Sequence, residues 1–92
     1  MLKIKNSVKF KEDLKKFSHQ QKVLKELNDV LEFLVQEIPL SKKYRDHPLS
    51  GNWVGRRECH IKPDILLIYM TDMTDENSLF LERIGSHSEL FR

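Results

Sequence analysis

Three of the four histidines in this 92-residue chain lie in its second half, each beside residues that favour loops or strand ends: Asp46-His47-Pro48, Cys59-His60 and Ser86-His87. Imidazole titrates near neutrality, so two histidines on opposite sides of a phosphodiester can remove one proton and deliver another without extreme tuning. RNA suits such a pair. Its 2′-hydroxyl, once deprotonated, attacks the adjacent phosphate, an acid protonates the departing 5′-oxygen, and a guanidinium stabilises the added negative charge. This chemistry needs neither a metal nor an organic cofactor. Asp64 follows His60 just past the bend made by Pro63, where it could orient or deprotonate an imidazole. Arg83 and His87 flank Gly85 and could approach the same pocket, Arg83 as a phosphate contact. His19 is the outlier.

Taken singly, each of these histidines is more often a surface or hydrogen-bonded structural residue, and spacing alone is weak support for a site. A metal shell built from His47, His60, Asp64 and His87 is the less favoured arrangement. There is no HExxH, paired CxxC or tight His-x-His element, and Pro63 works against helical spacing between His60 and Asp64. No glycine-rich phosphate loop is present. Cys59 adjoins His60, but neighbouring strand residues point to opposite faces, so a buried structural thiol is expected. Trp53 and Tyr69 could stack on bases, yet packing against a sheet is the simpler role for both. Phe91, an aromatic in a polar tail, either docks that tail or meets a ligand.

Charge supplies a second indication. Residues 40 to 62 carry Lys42, Lys43, Arg45, Arg56, Arg57 and Lys62 against only Asp46 and Glu58, while the whole chain is +2, so the remainder is net negative. A local basic surplus attracts phosphate without making the protein a general polycation, although a solvated basic loop would look the same. With 39% apolar and 33% charged residues the chain should fold, and its length suits one domain over residues 1–92. No apolar run approaches the ~20 residues that cross a bilayer, and Met1-Leu2-Lys3-Ile4-Lys5 lacks the core of a secretory signal. Cys59 is the sole cysteine, in keeping with a reducing compartment. A cytoplasmic protein without membrane contact is expected.

The elements that must position these residues follow from periodicity. Leu2 and Ile4 alternate in a short strand over residues 1–6, and Ser7 is placed to cap a helix. Phe10, Leu14 and Phe17 form its apolar stripe through Lys16, with Lys9, Lys11, Glu12, Asp13 and Lys15 on the other side. Val23, Leu27, Val30, Leu31, Leu34, Val35 and Ile38 predict a longer amphipathic helix ending at Pro39. Residues 40–52 read as a loop. Residues 53–61 read as a strand with Arg56, Glu58 and His60 on one face and Trp53, Arg57, Cys59 and Ile61 on the other. The uninterrupted run Ile65-Leu66-Leu67-Ile68-Tyr69-Met70 predicts a central strand buried on both faces. Asp72 to Asn77 forms an acidic hairpin tip, Ser78 to Ile84 the last strand, and Ser86 to Arg92 a tail. The order strand, helix, helix, then three strands predicts an α+β fold, its two helices on one side of a sheet that ends in a three-strand antiparallel meander.

The ordered motifs Tyr44-Arg45-Asp46-His47-Pro48-Leu49, Gly51-Asn52-Trp53, Arg57-Glu58-Cys59-His60, Pro63-Asp64 and Arg83-Ile84-Gly85-Ser86-His87, continuing to Leu90-Phe91, resemble those of YafQ-type toxins in the RelE/ParE superfamily. The resemblance is dense across the second half and extends to the first only as a matching strand-helix-helix pattern. It implies a RelE-like fold, mRNA cleavage in the ribosomal A site, and neutralisation by a DinJ/RelB-like antitoxin. It further implies that His47, His60, Asp64 and His87 are catalytic, with Phe91 near substrate and Arg83 on phosphate. On this reading His87 is the general acid, His60 or Asp64 the base or its orienter, and His47 a charge stabiliser. Glu58 stands where some members carry Asp, and its extra methylene moves the carboxylate. Arg56, Lys43 and Arg45 become candidate contacts to RNA phosphates. Two other outcomes fit the same scaffold: a noncatalytic ParE-like toxin that inhibits gyrase, and an inert RNA-binding domain.

Overall fold

The apolar run that starts at Ile65 becomes the middle strand of a five-stranded sheet in the computed structural model, which describes residues 1–74 and 76–91. Asp75 of the acidic tip and Arg92 of the tail lie outside the described residues. The strands are β1 (Lys3–Asn6), β2 (His47–Pro48), β3 (Arg57–Lys62), β4 (Ile65–Asp72) and β5 (Ser78–Gly85), in the spatial order β1-β5-β4-β3-β2. Strands β2 to β5 pair antiparallel, whereas β1 lies parallel to β5, as a crossover through helices α1 (Val8–Lys15) and α2 (Gln21–Val35) requires. The expected α+β order, the meander of β3, β4 and β5, and the placing of both long helices on one face are all borne out.

The two faces of β4 divide the protein into two apolar clusters. Leu67 and Tyr69 point into the main core with Cys59, Ile61, Leu81 and Ile84, beneath Phe10 and Phe17 and the α2 stripe of Val23, Leu27, Val30 and Leu34. Leu66 and Ile68 point the other way, into a small cluster with Leu90, Leu49, Trp53 and Phe91. That second face is covered by a third helix, α3 (His87–Leu90), formed from residues expected to be only a tail.

Several boundaries differ from the sequence reading, each for a local reason. Ser7 caps α1 as expected, its Oγ accepting from Phe10 N at 2.9 Å and donating to Glu82 O at 2.7 Å. Asp13, assigned to the polar side, is instead 5% exposed. Helix α2 stops at Val35 rather than Ile38. Glu37 takes a left-handed φ of 58°, and the Ile38 and Glu37 N–H groups donate to Phe33 and Leu34 carbonyls, a Schellman closure ahead of Pro39. Residues 53–61 do not form one strand, because Gly51–Trp53 is a 3-10 turn and Gly55 has a φ of 89°. Strand β3 therefore begins at Arg57, leaving Trp53 and Arg56 in the preceding loop. Within the expected 40–52 loop, Lys42–Tyr44 forms a 3-10 turn and His47–Pro48 adds a short edge strand. Among the described residues no helix is long and apolar enough to cross a membrane.

Candidate active site

The register of the sheet brings the candidate residues together. His47 lies opposite Glu58, Glu58 opposite Ile68, and His60 opposite Leu66, so both histidines and the glutamate share the face covered by α3. Asp46 anchors the segment that carries His47. Its carboxylate accepts from Tyr69 Oη at 2.6 Å and from Arg57 Nε and Nη2 at 3.3 and 3.4 Å. Burial raises the Tyr69 phenol well above its ordinary value, and the hydrogen bond to Asp46 adds to that, so it stays a donor. Burial pulls against the charge on Arg57, but its hydrogen bond to Asp46 prevails and the guanidinium is held above its ordinary value.

Glu58 occupies the centre of the row. Its Oε1 lies 3.5 Å from His60 Nε2 and 3.9 Å from His47 Nε2, and its side chain is 8% exposed. The opposite ring nitrogens are fixed by backbone carbonyls: His47 Nδ1 is 2.6 Å from Arg45 O, and His60 Nδ1 is 3.3 Å from Pro63 O. A carbonyl only accepts, so each Nδ1 carries hydrogen and each Nε2 is the nitrogen presented to the site. A carboxylate beside Nε2 attracts an imidazole that holds a proton there. One buried charge thus serves two candidate proton carriers.

Helix α3 brings the remaining histidine. Ser86 caps it, accepting from Glu89 N at 3.2 Å while its own N–H donates to Glu89 Oε1 at 2.8 Å, a capping box. That backbone hydrogen bond holds the Glu89 carboxyl below its ordinary value, aided by the Ser86 hydroxyl and Lys16. A Cβ on Gly85 would lie 3.0 Å from Glu89 Oε1 and 3.4 Å from Leu90 Cδ2, so glycine lets α3 fold close against the end of β5. Leu90 docks on Leu66 and Ile68. Phe91 docks the tail as well, its ring 6.5 Å from Trp53 edge to face and 4.9 Å from the ring of His87. His87 itself is exposed.

Other candidates stand at different distances from this row. Asp64 is exposed in the β3–β4 turn and makes no ion pair or hydrogen bond among the described residues, so His60 is oriented by Pro63 and Glu58. Arg83 donates from Nε and Nη2 to Asp13 at 2.6 and 3.1 Å, and this pairing holds its guanidinium above its ordinary value. Among the described residues two of its five N–H groups are used, leaving three for an outside acceptor. Arg56 Nε lies 3.8 Å from Glu82 Oε1, the residue inserted by the β-bulge between Ile68 and Tyr69. Lys43 Nζ lies 3.6 Å from Glu26 and 4.9 Å from the centre of the Tyr44 ring, while Arg45 is exposed. His19 sits exposed in the α1–α2 connection. Cys59 is fully buried, and burial pushes its thiol far above the ordinary value, which suits a packing residue and not a nucleophile.

Asp13 is the residue that sequence reasoning missed, since nothing in an amphipathic helix announces a partner seventy residues away. The pattern Ser86-x-x-Glu89 could have revealed α3.

A sheet whose face opposite α1 and α2 carries a His–Glu–His row, with a further histidine delivered by a capped terminal helix, defines a RelE-like α+β toxin scaffold. Residues 2–92 match the family described as "Bacterial toxin of type II toxin-antitoxin system, YafQ". The chain belongs to the YafQ toxin family. It is 37% identical over 89 residues to the mRNA interferase toxin YafQ of Escherichia coli (strain K12), covering 96% of this chain and 94% of that protein. It superposes on a metal-bound toxin from Helicobacter pylori with a TM-score of 0.89 and 52% identity, over 99% of this chain and 100% of the other. It also superposes on the toxin fold of the Escherichia coli DinJ–YafQ complex with a TM-score of 0.86 and 33% identity, over the full length of both chains. In this chain no group of three or more His, Cys, Asp or Glu side chains among the described residues is arranged to hold a metal ion.

Proposed function

We propose that this protein is the toxin half of a type II pair and cleaves mRNA in the ribosomal A site by acid–base catalysis. The observation that carries the reading is the row on the α3 side of the sheet, where His47 and His60 both present Nε2 to the buried Glu58 carboxylate. His60 removes the proton of the RNA 2′-hydroxyl, and the 2′-oxygen bonds to phosphorus. The P–O5′ bond breaks, His87 gives its proton to the departing 5′-oxygen, and the upstream fragment is left with a 2′,3′-cyclic phosphate. His47 and the three uncommitted N–H groups of Arg83 meet the charge that builds on the nonbridging oxygens. Phe91 lies against the His87 ring and offers its remaining face to a base. Asp64, exposed in the adjacent turn, is the alternative base.

The same reading assigns the partners. A DinJ/RelB-like antitoxin neutralises the protein, in keeping with the complex formed by its Escherichia coli relative. Ribosomes and mRNA place the action in the cytoplasm. The test is induction without antitoxin followed by mapping of mRNA 5′ ends, with and without ribosomes. New ends that disappear with His87→Ala support the assignment. Growth arrest with intact mRNA and inhibited gyrase would overturn it in favour of a noncatalytic ParE-like toxin, and full toxicity of His87→Ala would remove that residue from the mechanism.

A further inference from the structure

Strand β2 pairs only with Arg57 and Glu58, so past Glu58 the outer edge of β3 has no strand beside it among the described residues. The Lys42–Tyr44 turn and Glu26 of α2 approach that edge without filling it, and a cleft of about 370 Å³ remains. Lys43, Arg45, Lys62 and His60 line it against one carboxylate, that of Glu26. Glu26 is already committed. It accepts a short hydrogen bond from Tyr44 Oη and lies 3.6 Å from Lys43 Nζ. The Tyr44 hydrogen bond, with help from Lys43 and Lys62, holds the Glu26 carboxyl below its ordinary value, so it remains ionised and balances Lys43. Arg45 and Lys62 have no ion-pair or hydrogen-bond partner for their side chains among the described residues, and they supply the cleft's unbalanced charge.

We propose that this cleft is a subsite for the RNA strand beside the scissile phosphate, in which Arg45 and Lys62 bind a backbone phosphodiester. The inference rests on the nuclease reading for the position of the scissile bond, but the cleft's chemistry stands on its own lining. His60 is shared between the two places: it lines the cleft and presents Nε2 to Glu58 in the row. The same loop links them a second time, because Arg45 both lines the cleft and holds His47 Nδ1 through its carbonyl. A strand leaving the His47–His60 row therefore passes directly into a cationic cleft large enough for a small ligand. The Tyr44 ring is 7% exposed and lies under Lys43, so it offers no stacking platform, and the grip falls on the backbone. Phosphate contacts position a strand and are indifferent to its sequence. Arg45 and Lys62 should accordingly set how tightly RNA is held and where it lies, not which bases are cut.

The test uses the full chain and a fluorescent RNA oligonucleotide whose 2′-hydroxyl at the mapped cleavage position is replaced by hydrogen. Binding is measured by anisotropy across a salt series for wild type, Lys62→Gln, Arg45→Gln and the remote control Lys9→Gln. Thermal melts confirm that each variant is folded. The expected result is weaker binding by Lys62→Gln and Arg45→Gln for oligonucleotides of unrelated sequence. The salt slope should fall by about 0.7 for each cation removed, with Lys9→Gln matching wild type. On programmed ribosomes the same two variants should raise KM several-fold with little change in kcat. A parallel arm with vacant ribosomes separates the substrate strand from ribosomal RNA as the source of the phosphate. Weakening confined to vacant ribosomes, or a wild-type slope in both variants, overturns the proposal. Should wild type leave every RNA uncut while the variants still reduce the slope, the nuclease reading fails and the cleft remains.

Discussion

Replacing Asp13 by Ala should be among the most damaging single changes on the helical side of the sheet, although the residue looks like an ordinary charge on an amphipathic helix. Its carboxylate accepts from Arg83 Nε at 2.6 Å, from Arg83 Nη2 at 3.1 Å and from the Ile84 backbone N–H at 3.2 Å. Strand β1 ends opposite Leu81, so beyond that point β5 has no strand partner on this edge, and Asp13 supplies the acceptor that a strand would have given. Ile84 is 1% exposed, so its orphaned N–H cannot turn to water and the loss is about 1–3 kcal/mol. Removing one member of a fully buried ion pair costs about 3–5 kcal/mol. The Arg83 side chain is 21% exposed and recovers part of its hydration, which brings that component to the lower end. Together the expected destabilisation is about 4–6 kcal/mol, a large part of the whole stability of a domain this size.

Urea unfolding reads this directly. With an m-value of about 1–2 kcal/mol/M, the midpoint should fall by at least about 2 M at unchanged m. The double variant Asp13→Ala/Arg83→Met removes the stranded guanidinium and should recover about 1–2 kcal/mol, the coupling expected of groups in direct contact. A loss below about 1 kcal/mol for Asp13→Ala, or additive single effects, would show that Arg83 and the Ile84 N–H find other acceptors.

Glu58→Gln should behave in the opposite way. A carboxylate that is 6% exposed and, among the described residues, ion-paired only with imidazoles at 3.5 and 3.9 Å is costly to bury, so its neutral isostere should leave the urea midpoint unchanged or higher. Cleavage should nevertheless drop by about tenfold or more, and retention of full activity would remove Glu58 from the site. Ser86→Ala should cost about 1 kcal/mol through loss of the α3 cap, and cleavage should suffer more than the global midpoint does. The depressed Glu89 carboxyl adds a pH dependence to that cap. Its contribution is fully present above the ordinary glutamate pKa and is lost as pH falls through the lowered folded value, which Trp53 fluorescence should report as Phe91 moves away. Cys59, fully buried with its thiol raised, should react with a thiol reagent only at the rate of unfolding, and rapid stoichiometric labelling of the native protein would contradict its placement.

What was legible in the sequence depended on range. The Ile65–Met70 run identified the middle strand because burial on both faces leaves no polar alternation, and Leu66, Leu67, Ile68 and Tyr69 are all buried. Ser7 was recognisable as a cap because its partner, Phe10 N, is three residues away. The α2 terminus was overrun because apolar spacing continues to Ile38, while the terminating left-handed residue is Glu37 and not the glycine that usually marks such a turn. The histidines, Arg83 and Phe91 were legible as residue types in motif context. Their geometry was not, because it depends on a two-residue strand inside what reads as a loop. Only the pairing of His47 with Glu58 places a second imidazole on the carboxylate. Asp13 was invisible as a functional position for the same reason, since its role comes from a segment distant in the chain, whereas Lys62 was legible as part of the basic 40–62 segment but not as part of a cleft with Glu26.

The division of the apolar residues into two unequal clusters has a consequence for how activity and stability separate. The main core joins α1, α2 and the inner sheet face through residues such as Val30, Leu67 and Leu79, none of them measurably exposed. The opposite cluster has only Leu66, Ile68 and Leu90 fully buried, with Leu49, Trp53 and Phe91 at its margin. A four-residue helix cannot persist on its own, so α3 depends on the Ser86–Glu89 box, the bare Cα of Gly85 and the docking of Leu90. The residue proposed as general acid, His87, is the first residue of that helix. Its attachment is therefore governed by a local equilibrium much shallower than global unfolding. Substitutions on the α3 face change whether the acid is in place, whereas substitutions on the helical face change whether there is a sheet to hold it. Gly85→Ala belongs to the first kind: it crowds Glu89 and Leu90 without touching the main core, so a protein that melts nearly normally yet fails to cut is its expected signature.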